Sequence, residues 1–244
     1  MFDRVEVFVS DAARAGNRDD LSGLLGEVAT DLGFDCFALT QHADPGQLEH
    51  SLIRIDNYPA AWVEYFNEQR MGATDPVHRA SNRTSIGFAW SDLSRLVQLT
   101  GRDRQVLELA RDQGLGNGFT VPAHIPGEIN GSCSFATSRE SGFPVERLRE
   151  AQLVGAFAFE AARSISSPAA AASQPRLTDR QRDCLVWVAR GKSDWEISRI
   201  LGVSQETVIL HLKHARERYG VAKRTELTVR ALFDGTISFN DILR

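Results

Sequence analysis

Apolar residues recur at helical spacing through residues 177–233, and the pattern predicts four helices separated by short polar breaks. Thr178-Asp-Arg-Gln181 and Ser193-Asp-Trp-Glu196 each fit a capping box, in which a hydroxyl accepts a hydrogen bond from an orphan backbone N–H at a helix start. Gly191 stands where the first helix needs a stop. The first helix is expected to bury Leu185 and Val188, and the second Ile197, Ile200 and Leu201. Gly202-Val203 makes a short turn, and a third helix begins at Ser204. Along it Val208, Leu212, Ala215 and Tyr219 form one stripe, spaced for the core, while Gln205, Ile209, Lys213 and Arg216 form a second stripe on a different face. A fourth helix, about 225–233, buries Leu227 and Ala231.

Upstream the periodicity alternates between helix and strand. Residues 21–32 read as an amphipathic helix ended by Gly33, and 34–41 and 51–56 as strands. Residues 59–69 read as a helix with proline in its first turn, and 102–113 as another helix. A strand pair, 118–125 and 131–137, is joined by a Pro-Gly turn, and 144–164 is a long apolar-rich helix. Helices flanking a mostly antiparallel sheet predict an α/β/α sandwich, which can hold a small molecule between sheet and helices. The fold class is therefore α+β in two domains, 1–166 and 176–244. The connecting stretch 167–175 is small, polar and proline-bracketed, with no large apolar residue to join a core, and reads as a linker.

Composition narrows the class. With 42% hydrophobic and 25% charged residues the chain suits a soluble globular protein. No apolar run approaches the ~20 residues of a membrane span. The N-terminus lacks a basic leader followed by an apolar stretch, so no secretory signal is expected. Cys36, Cys133 and Cys184 are far apart and odd in number, which fits buried thiols in a reducing cytoplasm better than disulfides or a metal site. The net charge of −4 is unevenly spread: residues 176–244 carry 13 basic against 9 acidic residues, including all three lysines, and the remainder is acidic. A basic module on an acidic one suits contact with a polyanion. Periodicity alone leaves two readings of the third helix, a solvated basic face or a helix entering a DNA groove. In a groove, Ile209 is free to touch a thymine methyl, and Lys213 and Arg216 to meet bases or phosphates. Thr207, His211 and Arg218 would reach the backbone.

The string LT..Q...L...A.GK...EIS..LG.S..TV..H...A resembles the helix-turn-helix output domain of LuxR-type transcription regulators, with Trp195-Glu196-Ile197 and Ser204-x-x-Thr207-Val208-x-x-His211 its most diagnostic parts. The resemblance implies that the helix from Ser204 is the recognition helix. Its DNA-binding residues would be Gln205, Thr207, Ile209, His211, Lys213 and Arg216. It also implies a homodimer on a pseudo-palindromic operator, with half-sites about one helical turn apart, and RNA polymerase as a further partner. Many relatives carry a polar or basic residue where Ile209 stands, which implies a distinct operator sequence.

In the N-terminal part each notable residue has a plain structural reading: Trp62 and Trp90 in a core, Asp75 as the cap before Pro76, Ser134 bonded to backbone. Together, however, YPAAW, then DP thirteen residues after the Trp, then Trp90 fifteen after the Asp, then a glycine-bounded strand ending in Ser134, resemble the autoinducer-binding domain of the same regulators. The implied ligand is an N-acyl-homoserine lactone, with no cofactor and no metal. Trp62 would donate to the lactone carbonyl and Asp75 accept the amide N–H. Tyr58 and Ser134 would bond the amide carbonyl, and Trp90 would pack on the lactone ring. Gly118 would keep the backbone close at the pocket wall, with Ala38 in the tail region beside Thr40, Asn130 and Ser132. Phe66 replaces a usual Tyr, and His78, polar near the acyl channel, either is solvated or reads an oxygen on the acyl group. Two further readings stand beside this one: an orphan receptor of the same fold for a different small molecule, and an enzyme with a DNA-binding appendage. The last has little support, since no G-x-S-x-G elbow is present.

Overall fold

The computed structural model describes residues 3–43, 52–138, 144–166 and 175–243, and the chain folds as two compact units. The first runs α1 (Asp3–Ala12), α2 (Arg18–Asp31), β1 (Cys36–Gln41), β2 (Arg54–Asp56), α3 (Ala60–Glu68), α4 (Pro76–Ser81), β3 (Phe88–Ala89), α5 (Leu93–Leu96), α6 (Gly101–Asp112), β4 (Asn117–Ala123), β5 (Gly131–Thr137) and α7 (Leu148–Ser166). The five strands form one antiparallel sheet in the order β2-β1-β5-β4-β3.

Strand alternation sorts this sheet into two chemically different faces. Phe37, Leu39, Val121, Cys133 and Phe135 share one face, all buried, and meet α2 and α7. Burial of each large apolar side chain there contributes about 1.5–3 kcal/mol. The helix α7 lies so close that a Cβ on Gly155 would stand 2.8 Å from the Val121 side chain. The opposite face carries Ala38, Thr120 and Ser134 in one row, because Ala38 and Thr120 both pair with Ser134 across the register. The helix α4 packs on that side.

Several expected bounds shift. The strand over 51–56 is reduced to Arg54–Asp56, with Ser51 outside the described residues. Pro59 caps α3 instead of entering its first turn. The long helix begins at Leu148, after a 3-10 turn Val145–Arg147. Helices α1 and α5 were not anticipated: α1 lies outside the periodic segments, and α5 is only four residues long; α4 starts where Asp75-Pro76 reads as a cap and first turn. The supposed linker lies outside the described residues but for Pro175.

The second unit holds α8 (Asp179–Ala189), α9 (Asp194–Leu201), α10 (Gln205–Tyr219), α11 (Arg224–Phe233) and α12 (Phe239–Ile242). Both expected capping boxes form, at Thr178/Gln181 and Ser193/Glu196. Gly202 and Gly220 take left-handed backbone at the ends of α9 and α10, a conformation open to glycine at no steric cost. Leu185, Ile197, Val208, Ala215, Leu227 and Ala231 are fully buried. Ile200 is not: it is 44% exposed, because the inward arc of α9 runs through Ile197, Ser198 and Leu201 and leaves Ile200 outside it. Val188 is only partly buried. Beyond the four expected helices, α12 adds a short fifth, tied by Arg182 to the Asp241 carboxylate at 2.9 Å and by Arg190 Nε to the Asp241 carbonyl at 2.8 Å.

Candidate functional site

Between the polar-lined sheet face and α3, α4 and α6 lies a cavity of about 410 Å³, within the range of small-molecule sites. Ala38, Thr40 and Ser134 line it from the sheet, Trp62 and Phe66 from α3, Val77 and His78 from α4, and Val106, Leu107 and Ala110 from α6. Tyr58, Asp75 and Trp90 reach it from element ends.

The polar groups of this cavity are fixed by local structure. Asp75 is the N-cap of α4, and its Oδ1 accepts from the backbone N–H of Val77 at 2.8 Å and of His78 at 3.0 Å. The side chain is thereby held in one orientation while its other oxygen, Oδ2, has no donor among the described residues. Trp62 is 7% exposed, packed against Tyr65 and Phe66, and its indole N–H makes no bond among the described residues. Burial pushes the Tyr58 phenol well above its ordinary range, so it remains a donor. Ser134 belongs to a chain of hydrogen bonds: Trp90 Nε1–H donates to Thr120 Oγ1 at 2.9 Å, and the Thr120 and Ser134 hydroxyls are 2.8 Å apart. When Thr120 donates onward to Ser134, the Ser134 hydrogen is released for an acceptor in the cavity. At the rim Arg54 pairs with Asp56 at 2.9 Å and lies 5.8 Å from the Phe66 ring centre.

On α10 the inward positions Val208, Leu212, Ala215 and Tyr219 are buried, and Gln205, Ile209 and Lys213 are exposed. Ile209 is 45% exposed. The Thr207 hydroxyl sits 3.1 Å from that of its N-cap Ser204. Lys213 lies 3.8 Å from Glu217, an exposed pair that solvent weakens. Arg216 Nη1 donates to the Ala222 carbonyl at 3.0 Å. His211 is partly buried.

Residues 17–165 match the family model described as autoinducer binding domain, and residues 175–231 that of bacterial regulatory proteins, luxR family. The chain belongs to the LuxR family of autoinducer-binding transcription regulators. Among similar proteins, the transcriptional activator VanR of Vibrio anguillarum is 30% identical over 91% of this chain and 92% of its own. The activator LuxR of Aliivibrio fischeri is 29% identical over 77% of this chain and 78% of its own. The structure of SdiA in complex with octanoyl-rac-glycerol shares the fold with a TM-score of 0.71, at 24% identity, covering 97% of this chain and 96% of that one.

For this LuxR-family regulator the sequence-predicted pocket residues Ala38, Tyr58, Trp62, Phe66, Asp75, Trp90 and Ser134 all border the one cavity. Gly118 does not border it. It lies behind Trp90, where a Cβ would come within 2.5 Å of the indole, so its lack of a side chain lets Trp90 lie against β4. Asn130 and Ser132 also stand apart from the cavity: Asn130 Nδ2 donates to Asn82 and the Ser132 hydroxyl bonds His42. Sequence reasoning missed Thr120, Arg54 and His42. Only Thr120 had a signal, its place in the strand register opposite Ser134. The three cysteines are free thiols, Cys36 half-buried and the other two buried; burial pushes Cys133 well up and Cys184 up to about 11, away from the thiolate form. Among the described residues no His, Cys, Asp and Glu group could hold a metal, and no helix is long and apolar enough to cross a membrane.

Proposed function

We propose that this regulator binds an N-acyl-homoserine lactone in the cavity and, as a cytoplasmic homodimer, a two-fold symmetric operator through α10. The observation that carries the ligand reading is the match of unmet hydrogen bonds. The lactone amide presents two carbonyl acceptors and one N–H donor. Against it stand three donors, on Trp62, Tyr58 and Ser134, and one acceptor, Asp75 Oδ2, which the cap holds in place. Asp75 is a buried residue whose Oδ2 takes no bond among the described residues. A ligand that left this oxygen without a donor would incur the cost of its desolvation, so a ligand N–H is favoured there over an apolar group. Trp90 would flank the lactone ring. The apolar wall of Val77, Val106 and Leu107 would receive acyl carbons.

At the output end, the exposed stripe Gln205, Ile209 and Lys213 would enter the major groove. Thr207, His211 and Arg216 would lie toward the phosphates, Arg216 after release of the Ala222 carbonyl. Ligand acts on DNA affinity only as far as it prefers the DNA-competent state. RNA polymerase would be the partner of the DNA-bound dimer.

A second ligand class has one supporting observation. The fold neighbour SdiA holds octanoyl-rac-glycerol, and a glycerol hydroxyl would also satisfy Asp75 Oδ2. The test is thermal unfolding of the full chain with homoserine lactones of graded acyl length and with acyl glycerols, followed by gel shift on candidate operators. The lactones are expected to raise Tm with concentration, as a ligand of the native state must. A Tm raised by acyl glycerols alone would replace the lactone reading, and a Tm moved by neither would overturn both.

A further inference from the structure

Beside Asp75, on the same short helix, His78 borders the cavity with its ring constrained on three sides. Its Nδ1 is 2.8 Å from the Gly72 carbonyl oxygen, which can only accept, so Nδ1 carries the hydrogen. One face stacks on His42, ring centres 3.9 Å apart and 14° from parallel, and its edge meets Phe66 at 5.6 Å. His42 is itself 9% exposed, bonded through Nε2 to the Ser132 hydroxyl at 2.9 Å, and its buried Nδ1 has no partner among the described residues. Burial first, then His78 and His124, lower the affinity of His42 for a proton well below the ordinary histidine range, so the stack rests on a neutral ring.

With the hydrogen on Nδ1, the lone pair of the His78 imidazole lies at Nε2, which takes no hydrogen bond among the described residues. We propose that His78 makes this regulator selective for an acyl group bearing a hydroxyl close to the amide, a 3-hydroxyacyl chain, whose O–H donates to Nε2. The inference rests on the homoserine-lactone reading of the cavity. Asp75 takes the amide N–H at the cap, and His78 stands one helical turn on, which places its nitrogen near the first acyl carbons and away from the chain end. A 3-oxo group would instead set a carbonyl lone pair against the Nε2 lone pair.

The test is calorimetric binding of 3-hydroxy, unsubstituted, 3-oxo and 3-methoxy homoserine lactones of equal chain length to the full protein and to His78→Leu. Wild type is expected to bind the hydroxy chain about 3- to 10-fold more tightly than the unsubstituted one, the range of one net hydrogen bond. The methoxy chain, which keeps the oxygen but lacks the donor, should lose that gain. In His78→Leu the hydroxy preference should vanish while the unsubstituted chain still binds. A wild-type protein that binds lactones without preferring the hydroxyl, or that favours methoxy equally, overturns the selectivity alone. A preference that persists in His78→Leu assigns it elsewhere and overturns the role of His78. No binding of any lactone overturns the underlying ligand reading instead, and this inference with it. The wild-type series decides the donor question even if the variant does not fold.

Discussion

The exposed face of α10 and the cavity would solve the recognition tasks proposed for them in opposite ways. On α10 the outward side chains follow one another at helical spacing along a single 15-residue helix, so local sequence orders them and a capped, packed helix presents them. The cavity takes its polar atoms from β1, the start of α3, the cap of α4, the turn at Trp90 and β5. Only the closed sheet and its covering helices bring those atoms together. The helix can therefore lose an exposed contact without loss of fold. In the cavity one residue can perform two tasks, as Asp75 does in capping α4 and lining the cavity.

That contrast is broken most sharply at Asp75. Replacement by Ala removes cap and acceptor together. Asp75→Asn separates them: the amide oxygen can still accept from Val77 and His78, while the amino group turns a second donor toward the cavity. Loss of a charge-assisted hydrogen bond of about 1.5–3 kcal/mol should weaken lactone binding by roughly 10- to 100-fold. The free protein should keep its unfolding free energy within roughly a few tenths of a kcal/mol, because Asn and Asp cap about equally well. Calorimetry and thermal unfolding of the same sample check both halves. Wild-type affinity in the Asn variant would take Asp75 out of the ligand contact and leave it a cap alone.

How much was legible in the sequence follows the same divide. Helix starts at Thr178 and Ser193 and the core stripe of α10 were readable because caps and periodicity act within a few residues. The order of the sheet and the row Ala38, Ser134, Thr120 depend on pairings between distant segments. The pocket residues were reached through resemblance to a family, and the individual chemistry of each residue did not single them out. Their capping and packing explanations were equally good and, for Asp75, also true. Thr120 and His42 were missed for the same reason: each matters through a partner far along the chain. Ile200 failed from the opposite cause, since apolar character alone did not decide which arc of a two-turn helix faces inward.

Gly118 sharpens the comparison from the fold side. Gly118→Ala sets a methyl within 2.5 Å of the Trp90 indole, and overpacking of this kind typically costs about 1–3 kcal/mol. Trp90 must then shift, which breaks its bond to Thr120 and with it the relay to Ser134. The expected outcome is a lower unfolding midpoint together with weaker lactone binding. An unchanged midpoint with weakened binding would return Gly118 to the cavity wall itself.

Lys213 gives the smallest effect on the protein and the most informative one on DNA. Its side chain is 61% exposed and its only ion pair among the described residues is the long one to Glu217, so Lys213→Ala should leave thermal stability unchanged. If the ammonium reads a base, operator affinity falls by about 1–3 kcal/mol and preference at one base position relaxes. If it meets a phosphate, affinity falls about equally on all sequences, and the dependence of log K on log salt loses roughly one unit of slope. Measuring binding to operator and to unrelated DNA at two salt concentrations separates these. Glu217→Ala in parallel tests the ion pair: freed from its acidic neighbour, Lys213 should bind DNA at least as well as in wild type. A loss of DNA binding in Glu217→Ala would mean that the pair positions the lysine, and that this stripe, like the cavity, relies on a residue performing two tasks.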